Sequence, residues 1–402
     1  MQDPRDRSSS PCFGILVLNQ ISASGLARLP ASRYVTGADL AAPDAILVRS
    51  ADLHGRAIPP SVAAVGRAGA GTNNIPVAAL SARGVPVFTA PGGNANAVKE
   101  LVLAGMLMAA RNLGAAQRFI AGLDPAVPDL ERTIEEGKKA FAGFELSRQT
   151  LGVIGLGKVG CLVADAAIKL GMEVLGFDPE ITVEAAWSLP SQVQRAASAE
   201  DVLKNARLVS LHVPLVPATR HLVHAANLRL APEGAVLLNF SRAGVVDDAA
   251  VVEALDAGRL GAYVCDFPHP GILGHPRVIA LPHLGASTRE AEENCASMVV
   301  DQMRDFLEHG NVRNAVNFPQ VAMGRESAWR VAIANANVPN MLGQISSAMA
   351  RAGLNIHNMV NKSRGEMAYT LVDVDSAVTE PVLAEIRAIE GVLSVRYLPA
   401  QG

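Results

Sequence analysis

The chain is poor in several features that mark particular protein classes. Only 4 of its 402 residues are cysteine, and no two of them stand at the spacing of a metal-ligand or redox motif. Charged residues make up 18% and the formal net charge is −3, so no basic field exists to hold nucleic acid or an anionic membrane. The strongest apolar run, residues 101–110, is far shorter than the ~20 residues of a membrane span. We therefore expect reduced thiols, no resident metal, no nucleic-acid or membrane partner, and a cytoplasmic location.

Half of the residues are hydrophobic, and they are arranged as an alternating α/β series. After a flexible lead-in at 1–11, continuous apolar runs predict parallel strands covered on both faces, at 15–18, 45–48, 62–67 and 85–88. An Ala/Leu/Met-rich segment predicts one helix from about 96 to 121. A second series follows, with strands at 150–154, 173–177, 208–212, 235–239 and 262–266, and it closes with a helix at 288–309.

The C-terminal part of the chain has a different pattern. Residues 311–325 lack periodicity and contain Asn, Gly and Pro, which predicts a linker. From 326 to 402 the predicted elements run β-α-β-β-α-β, the order of a ferredoxin-like domain. The tail is therefore predicted to be a separate small α+β domain.

The strongest motif is a glycine turn after the strand at 150–154. Gly155, Gly157 and Gly160 form G-x-G-x-x-G directly before a helix-forming run, the arrangement that holds a dinucleotide pyrophosphate at a helix N-terminus. Asp178 follows the next strand, 18 residues after Gly160, where a carboxylate suits the ribose 2′-hydroxyl. No Arg or Lys follows at 179–181 to receive a 2′-phosphate. The motif predicts NAD rather than NADP.

Three further segments follow strands of the same series, at the sheet edge where ligands bind in such folds. One contains His212, Val213 and Pro214; the second contains Asn239, Phe240, Ser241 and Arg242; the third contains His283, Gly285 and Ala286. An arginine can hold a carboxylate through two hydrogen bonds, and a histidine can exchange a proton with a hydroxyl near neutral pH. Together with NAD, Arg242 and His283 predict hydride transfer to or from a 2-hydroxy acid.

These segments resemble the D-isomer-specific 2-hydroxyacid dehydrogenases over nearly everything after residue 12. The matching stretches are 65–74, 90–96, 155–160, 239–247 and 282–288. The resemblance implies an α/β fold in which a Rossmann-type, doubly wound NAD domain (95–285) is inserted in a flavodoxin-like substrate domain (13–94 and 286–318). A ferredoxin-like domain of the ACT type (326–402) would follow.

The resemblance also implies roles for individual residues. Further cofactor contacts would be Val98, Lys158, Val159, Thr219 and Asp266; substrate contacts would be Arg49, Ser50, Ala70, Gly71 and Asn73, beside Arg242 and His283; effector contacts would be Asn335, Asn337 and Asn355. In the tail, such amides could hold L-serine as an effector, or the tail could serve only subunit pairing. The family implies a homodimer or homotetramer.

Two departures from the family pattern leave alternatives open. The glutamate that normally supports the catalytic histidine, three residues after Phe267, is absent, and Asp266 could either orient His283 or bind the nicotinamide amide. The usual Arg-Ser-Arg of members acting on 3-phosphoglycerate is reduced to Arg49-Ser50-Ala51. The leading hypothesis is NAD-dependent oxidation of D-3-phosphoglycerate, the entry to serine synthesis. A hydroxypyruvate or glyoxylate reductase and an NAD-sensing binding protein with weakened catalysis are the alternatives.

Overall fold

The computed structural model of the protein describes residues 13–126 and 128–400, so the predicted lead-in at 1–11 and Cys12 lie outside the described residues. The chain forms two compact units, one built from the residues up to Gly93 and those from Arg289 onward, the other from Asn94–Thr288. No helix in the described ranges is long and apolar enough to cross a bilayer.

The first unit begins with a five-stranded sheet in which all neighbours are parallel, in the order β2-β1-β3-β4-β5. Of its interior strands, β3 is a fully buried apolar run, and β1 and β4 are mostly buried, as the sequence predicts. The edge strand β2 has two exposed residues and no pattern that would predict it. The strands are β1 (Phe13–Leu18), β2 (Tyr34–Gly37), β3 (Ala45–Val48), β4 (Ala64–Arg67) and β5 (Val87–Phe88), and the helices between them are α1 (Ala23–Leu26) and α2 (Val77–Ala82).

The second unit begins with helices, of which the first is half-buried in the core. The single helix predicted at 96–121 is wrong, because the structure has α3 (Ala95–Ala110) and α4 (Leu113–Ala121). Asn112 between them has a left-handed φ of 51°, and the Ala110 carbonyl accepts a hydrogen bond from the distant Phe144 amide. A long-range contact thus ends the first helix where no local breaker stands. The short helix α5 (Leu130–Gly137) and a 3₁₀ turn (Lys138–Phe141) follow.

The second unit is organised around a seven-stranded parallel sheet in the order β12-β11-β10-β9-β6-β7-β8. The chain starts in the middle at β6, moves outward to β8 and then returns to β9 on the other side of β6. This reversal places a crevice at the carboxyl ends of β6 and β9, where doubly wound sheets bind ligands. The strands are β6 (Thr150–Ile154), β7 (Glu173–Phe177), β8 (Gln194–Arg195), β9 (Leu208–Leu211), β10 (Ala235–Asn239), β11 (Leu260–Cys265) and β12 (Val278–Ala280).

Helices cover both faces of this sheet. Parallel strands need crossover connections, and helices in these crossovers cover both faces of the sheet. The strands are therefore buried on both sides, which explains why they are continuous apolar runs. The α-helices are α6 (Lys158–Lys169), α7 (Val183–Ser188), α8 (Ala199–Asn205), α9 (Ala225–Leu228) and α10 (Asp248–Asp256), with 3₁₀ turns at Pro217–Thr219 and Ala243–Val245.

The chain returns to the first unit through α11 (Arg289–His309) and then forms the tail. The tail sheet is antiparallel in the order β14-β15-β13-β16, so the predicted ferredoxin-like order is confirmed. The predicted linker at 311–325 is not a free connection, because Val312 pairs with Val321 and Phe318 is buried in the core. The tail elements are β13 (Trp329–Ala336), α12 (Met341–Arg351), β14 (Ile356–Arg364), β15 (Met367–Val374), α13 (Glu380–Arg387) and β16 (Val392–Pro399).

The tail also supplies hydrogen bonds to the last turn of α11, whose carbonyls have no partner within the helix. Arg396 donates to the carbonyls of Phe306 and Leu307, both at 3.0 Å, and Tyr369 donates its hydroxyl hydrogen to Gly310 at 2.8 Å. The tail therefore completes the hydrogen bonding of α11, which packs on the five-stranded sheet of the first unit.

A buried arginine holds the tail strands to the segment before them. Arg330 is fully buried and forms an ion pair with Asp373 through Nε at 2.6 Å and through Nη2 at 2.8 Å. Its remaining N–H groups donate to the carbonyls of His309, Met323 and Gly324. The net effect of this environment is to hold the pKa of Asp373 below its usual value: burial opposes ionisation, and the Arg330 hydrogen bonds overcome it.

Candidate active site

The glycine turn after β6 has the geometry that its sequence predicts. A Cβ atom added to Gly155, whose φ is 92°, would lie 2.6 Å from the carbonyl oxygen of His212. One added to Gly160 would lie 1.9 Å from the Gly155 carbonyl oxygen, whereas the Cβ position of Gly157 faces open space. The turn thus packs tightly on two sides and leaves room at the start of α6, where free N–H groups can receive a phosphate.

Asp178 braces this turn from the end of β7. One carboxylate oxygen accepts from the Leu156 amide at 2.8 Å and the other accepts from the Glu180 amide at 2.9 Å. Each oxygen keeps a lone pair, so the carboxylate can still accept from a ribose hydroxyl. Lys158, the first residue of α6, forms an ion pair with Glu184 at 2.6 Å, and its hydrogen bond lowers the pKa of that carboxyl.

The segment after β9 is fixed by internal hydrogen bonds. The His212 imidazole lies 2.8 Å from the Ser210 hydroxyl, and burial lowers the pKa of His212 to about 4, which keeps the ring neutral near pH 7. The hydroxyl of Thr219 donates to the Pro214 carbonyl and accepts from the Val216 amide at 2.9 Å. Among the predicted cofactor residues, His212, Pro214 and Thr219 therefore form one ordered wall.

The segment after β10 is held by a buried asparagine. Asn239 Oδ1 accepts from the Ser241 amide at 3.1 Å and hydroxyl at 2.7 Å, while its Nδ2 donates to the Arg242 carbonyl at 2.9 Å. The Phe240 ring is buried and packs against the backbone of α3 at Gly105, so its side chain belongs to the core. Arg242 is thereby presented just past the strand, with Nη1 donating to the Ser241 carbonyl at 2.6 Å.

Asp266 lies at the end of β11 in a pocket with two other predicted cofactor residues. A Cβ added to Gly285 would lie 3.2 Å from Asp266 Oδ2 and 3.3 Å from Val98 Cγ2, so the three residues meet there. Asp266 is 1% exposed, and its Oδ1 has no hydrogen-bond partner among the described residues. Burial raises the pKa of Asp266, against the opposing effects of His283, the Gly285 amide and Arg242.

His283 has an unusual backbone for a residue with a side chain. Its φ is 50°, and its amide donates to the carbonyls of Asp266 at 2.9 Å and Leu281 at 3.1 Å. Its ring contacts that of Phe267, with ring centroids 4.5 Å apart and the ring planes inclined by 44°. In the described part of the chain, no carboxylate forms an ion pair with His283. A strained, exposed histidine beside an arginine-bearing loop is typical of a site where protons are exchanged.

The residues of the second unit alone provide the space and the hydrogen-bonding groups that a dinucleotide needs. The open position beside Gly157 is the space that a pyrophosphate requires, and the orphaned Asp266 Oδ1 is an acceptor that a nicotinamide carboxamide N–H could use. Lys158 and Val159 open α6 beside this space, and Gly285 and Ala286 follow His283. When bound, NAD supplies a hydride acceptor.

In the first unit, the predicted substrate residues lie together at the carboxyl ends of β3 and β4. Arg49 and Ser50 follow β3, and residues 70–73, which include Ala70, Gly71 and Asn73, follow β4. Arg49 Nη2 forms an ion pair with Glu292 of α11 at 2.7 Å. Asn73 and Ser50 are exposed, so this edge offers backbone and side-chain groups to a ligand.

A second arginine at this edge was missed from the sequence. Arg67 ends β4, and its neighbour in the parallel pairing is Val48, the residue before Arg49. Its Nε donates to Asn74 Oδ1 at 3.1 Å, and a Cβ at Gly69 would lie 2.4 Å from Arg67 Nη1. The pairing of the two strands, which spacing along the chain does not reveal, brings two guanidinium groups to one sheet edge.

The predicted effector residues are not brought together within one chain. Asn335 is buried in β13, its Nδ2 donates to the Ala336 carbonyl at 2.7 Å, and its Oδ1 has no hydrogen-bond partner among the described residues. Asn337 Nδ2 donates to the Gly365 carbonyl at 3.0 Å. Asn355 precedes β14 at the opposite end of the sheet, about 20 Å away at 3.4 Å per strand residue. Asn335 and Asn337 can share a ligand, and Asn355 of the same chain cannot join them.

Comparisons with known proteins agree with this geometry. The family model described as D-isomer specific 2-hydroxyacid dehydrogenase, NAD binding domain, matches residues 103–285. A D-3-phosphoglycerate dehydrogenase of Haemophilus influenzae is 32% identical over 354 residues, which cover 84% of this chain and 82% of the relative. The enzyme of the same name from Escherichia coli K12 is 32% identical over 344 residues, covering 82% and 79%.

The fold is also found in solved structures. A cofactor-bound (NAD⁺) 3-phosphoglycerate dehydrogenase of Entamoeba histolytica superimposes with a TM-score of 0.58 at 23% identity, covering 76% of this chain and 98% of that one. The predicted fold class and NAD as cofactor are confirmed. The chain therefore belongs to the D-isomer specific 2-hydroxyacid dehydrogenase family and is an NAD-dependent oxidoreductase.

Proposed function

We propose that the protein oxidises D-3-phosphoglycerate to 3-phosphohydroxypyruvate with NAD. The observation that carries this proposal is the juxtaposition in the second unit of a glycine turn, an orphaned Asp266 carboxylate, and Arg242 and His283, which both lie next to the Phe267 ring. The names of the relatives support the phosphorylated substrate.

Arg242 is the proposed anchor for the substrate carboxylate. Its Nη1 is already tied to the Ser241 carbonyl, which fixes the guanidinium plane and leaves other N–H groups available. A planar guanidinium can hold both carboxylate oxygens, which fixes C2 of the bound acid and polarises the adjacent carbon–oxygen bond.

His283 is the proposed general base for oxidation. As the C2 hydrogen leaves as a hydride, the neutral imidazole takes the hydroxyl proton and the carbon–oxygen double bond forms. In the reverse direction, the imidazolium returns that proton to the new alkoxide. The Asp266 carboxylate is assigned to the nicotinamide carboxamide, because its oxygens face the Gly285 amide and an unpartnered position.

Arg49 and Arg67 are the proposed ligands of the substrate phosphate. Two guanidinium groups on adjacent strands supply the charge that the reduced Arg-Ser-Arg motif lacks. In this arrangement a phosphate replaces Glu292 as the partner of Arg49.

The same ion pair is the observation that favours the second candidate. If Glu292 stays on Arg49, the site suits a smaller, unphosphorylated acid, and the enzyme is a hydroxypyruvate or glyoxylate reductase. The missing carboxylate beside His283 favours the third candidate, a binding protein that senses NAD without efficient turnover.

A steady-state assay separates the three. We expect kcat/KM for D-3-phosphoglycerate to exceed that for D-glycerate and D-2-hydroxyglutarate at least about 10-fold, with NAD preferred over NADP. His283→Ala should lower kcat at least ~100-fold, in line with loss of a general base, whereas His269→Ala, an exposed histidine in the same unit, should not. Preference for unphosphorylated acids would select the second candidate, and NADH binding without turnover the third.

Regulation and assembly remain predictions. The buried, unpartnered Oδ1 of Asn335 supports a small amino acid such as L-serine as an effector at Asn335 and Asn337. Inhibition by L-serine that Asn335→Ala abolishes would support it, and the same inhibition in that variant would contradict it. A homodimer or homotetramer is expected, and light scattering coupled to size exclusion would measure it.

A further inference from the structure

Phe267 lies next to both residues to which the proposed function assigns the chemistry. Its ring centroid is 4.5 Å from that of His283, with the ring planes inclined by 44°. The guanidinium carbon of Arg242 lies 5.7 Å from the centroid of the same Phe267 ring. Both distances are within the range at which aromatic stacking and cation–π attraction act.

The imidazole has no carboxylate to fix its orientation. In this family's usual pattern that group stands three residues after the phenylalanine, and here Pro270 occupies the position. His269, one residue earlier, accepts from the Gly271 amide and lies 3.8 Å from Asp248, so it is engaged elsewhere. Asp266 interacts electrostatically with both His283 and Arg242, but no hydrogen bond joins its carboxylate to the imidazole among the described residues.

The segment that carries Phe267 is stiff. It follows directly from the buried end of β11, where Asp266 is 1% exposed. Pro268 fixes its own φ and excludes the helical region for the residue before it, which is Phe267. Pro270 acts in the same way on His269. A ring on such a segment can hold a neighbouring ring in one orientation at small entropic cost.

We propose that Phe267 is the positioning residue of this enzyme, whose ring orients the His283 imidazole by a tilted ring–ring contact and steadies the Arg242 guanidinium by cation–π attraction, in place of the missing carboxylate. The inference rests on the proposed function for its catalytic meaning, although the orientation of the ring is a property of the protein alone. Phe267 touches neither the substrate's reacting bond nor a proton; it acts through His283 and Arg242.

A kinetic cycle tests the catalytic part of the proposal. Phe267→Ala should lower kcat at least about 10-fold and raise KM for the acid, because both anchored groups lose their support. In a His283→Ala background, measured by single turnover at saturating acid, the same change should alter the rate less than about 2-fold, because groups that act as a unit are not additive; the loss of affinity for the acid, which comes from Arg242, should persist. Phe267→Tyr, which keeps the ring, should stay within about 3-fold of the unchanged enzyme.

Equal losses in both backgrounds would assign Phe267 a merely structural role and overturn the proposal, as would unchanged kcat in Phe267→Ala. Thermal melting and NADH titration check that each variant is folded. If Phe267→Ala does not fold, Phe267→Leu takes its place in the cycle, since it removes the ring with a smaller loss of volume.

A second measurement does not depend on activity. In the protein without substrate, the His283 ring protons should carry an upfield NMR ring-current shift that Phe267→Leu removes and Phe267→Tyr retains. An identical shift in Phe267→Leu would overturn the inference whatever the enzyme's substrate. Absence of turnover in the unchanged protein, with the ring-current shift present, would instead refute the proposed function alone.

Discussion

Replacing Asp266 by asparagine tests the assignment of this carboxylate to the nicotinamide. Asp266 is 1% exposed, its Oδ1 is unpartnered, and the Gly285 amide hydrogen-bonds to its carboxylate. In the Asp266→Asn variant, the carbonyl oxygen of the new side chain would keep the Gly285 amide and its NH₂ group would face the orphaned position. Two donors would then meet where a carboxamide N–H needs an acceptor.

The expected loss follows from one hydrogen bond to a charged group. Such a bond contributes about 1.5–3 kcal/mol, which corresponds to a roughly 10–150-fold rise in Kd for NADH. The assay is fluorescence titration with NADH, and the control ligand is ADP-ribose, which has no nicotinamide. The Kd for ADP-ribose should stay within about 2-fold, because that ligand has no carboxamide to meet Asp266.

Two results would refute this reasoning. An unchanged Kd for NADH would show that Asp266 does not bind the nicotinamide carboxamide. A similar loss of affinity for ADP-ribose and NADH would show that the substitution disturbs the dinucleotide site in general.

Four other predictions follow from contacts described above. Asp178→Asn, which removes the charge and keeps an acceptor for the Leu156 amide, should shift the NADP/NAD ratio of kcat/KM at least about 10-fold toward NADP relative to the unchanged enzyme; an unchanged ratio would show that the charge does not set the preference. Arg67→Ala should raise KM for D-3-phosphoglycerate at least about 10-fold more than KM for D-glycerate, and equal changes would count against a phosphate role. Arg330→Met should lower the free energy of unfolding by about 3–5 kcal/mol in urea titrations, against less than about 1 kcal/mol for the exposed Arg351→Met. The pKa of Asp373 is lowered in the folded state, so its contribution to stability is present above the ordinary aspartate pKa of about 4 and is lost as the pH falls further. The stability difference between the unchanged protein and Arg330→Met should therefore shrink at acid pH. A difference that stays constant down to acid pH would contradict this.

Much of the fold could be predicted because buried parallel strands are continuous apolar runs. The bounds at Ala45–Val48, Thr150–Ile154, Glu173–Phe177 and Ala235–Asn239 agree with the sequence pattern residue for residue. The strand Gln194–Arg195 was not predicted, because it is a short edge strand with both residues exposed. A strand whose side chains are all exposed has no hydrophobic pattern from which it could be predicted.

Some residues of the candidate site could be predicted from a local motif, and others are brought together only by the fold. The glycine turn is a local motif, so Gly155 and Gly157 could be identified from spacing alone. Arg67 joins Arg49 only through strand pairing, and Phe267 meets His283 only after β12 intervenes. The members of these two pairs are 18 and 16 positions apart along the chain, and no periodicity predicts that they lie near each other.

The central claim is that a hydride passes between C2 of the hydroxy acid and NAD in this protein. The most direct measurement uses D-3-phosphoglycerate deuterated at C2 and determines the mass of the NADH produced. We expect one deuterium in each NADH and a slower single-turnover rate with the deuterated acid. NADH without the label, or no NADH with an enzyme that binds the cofactor, would contradict it.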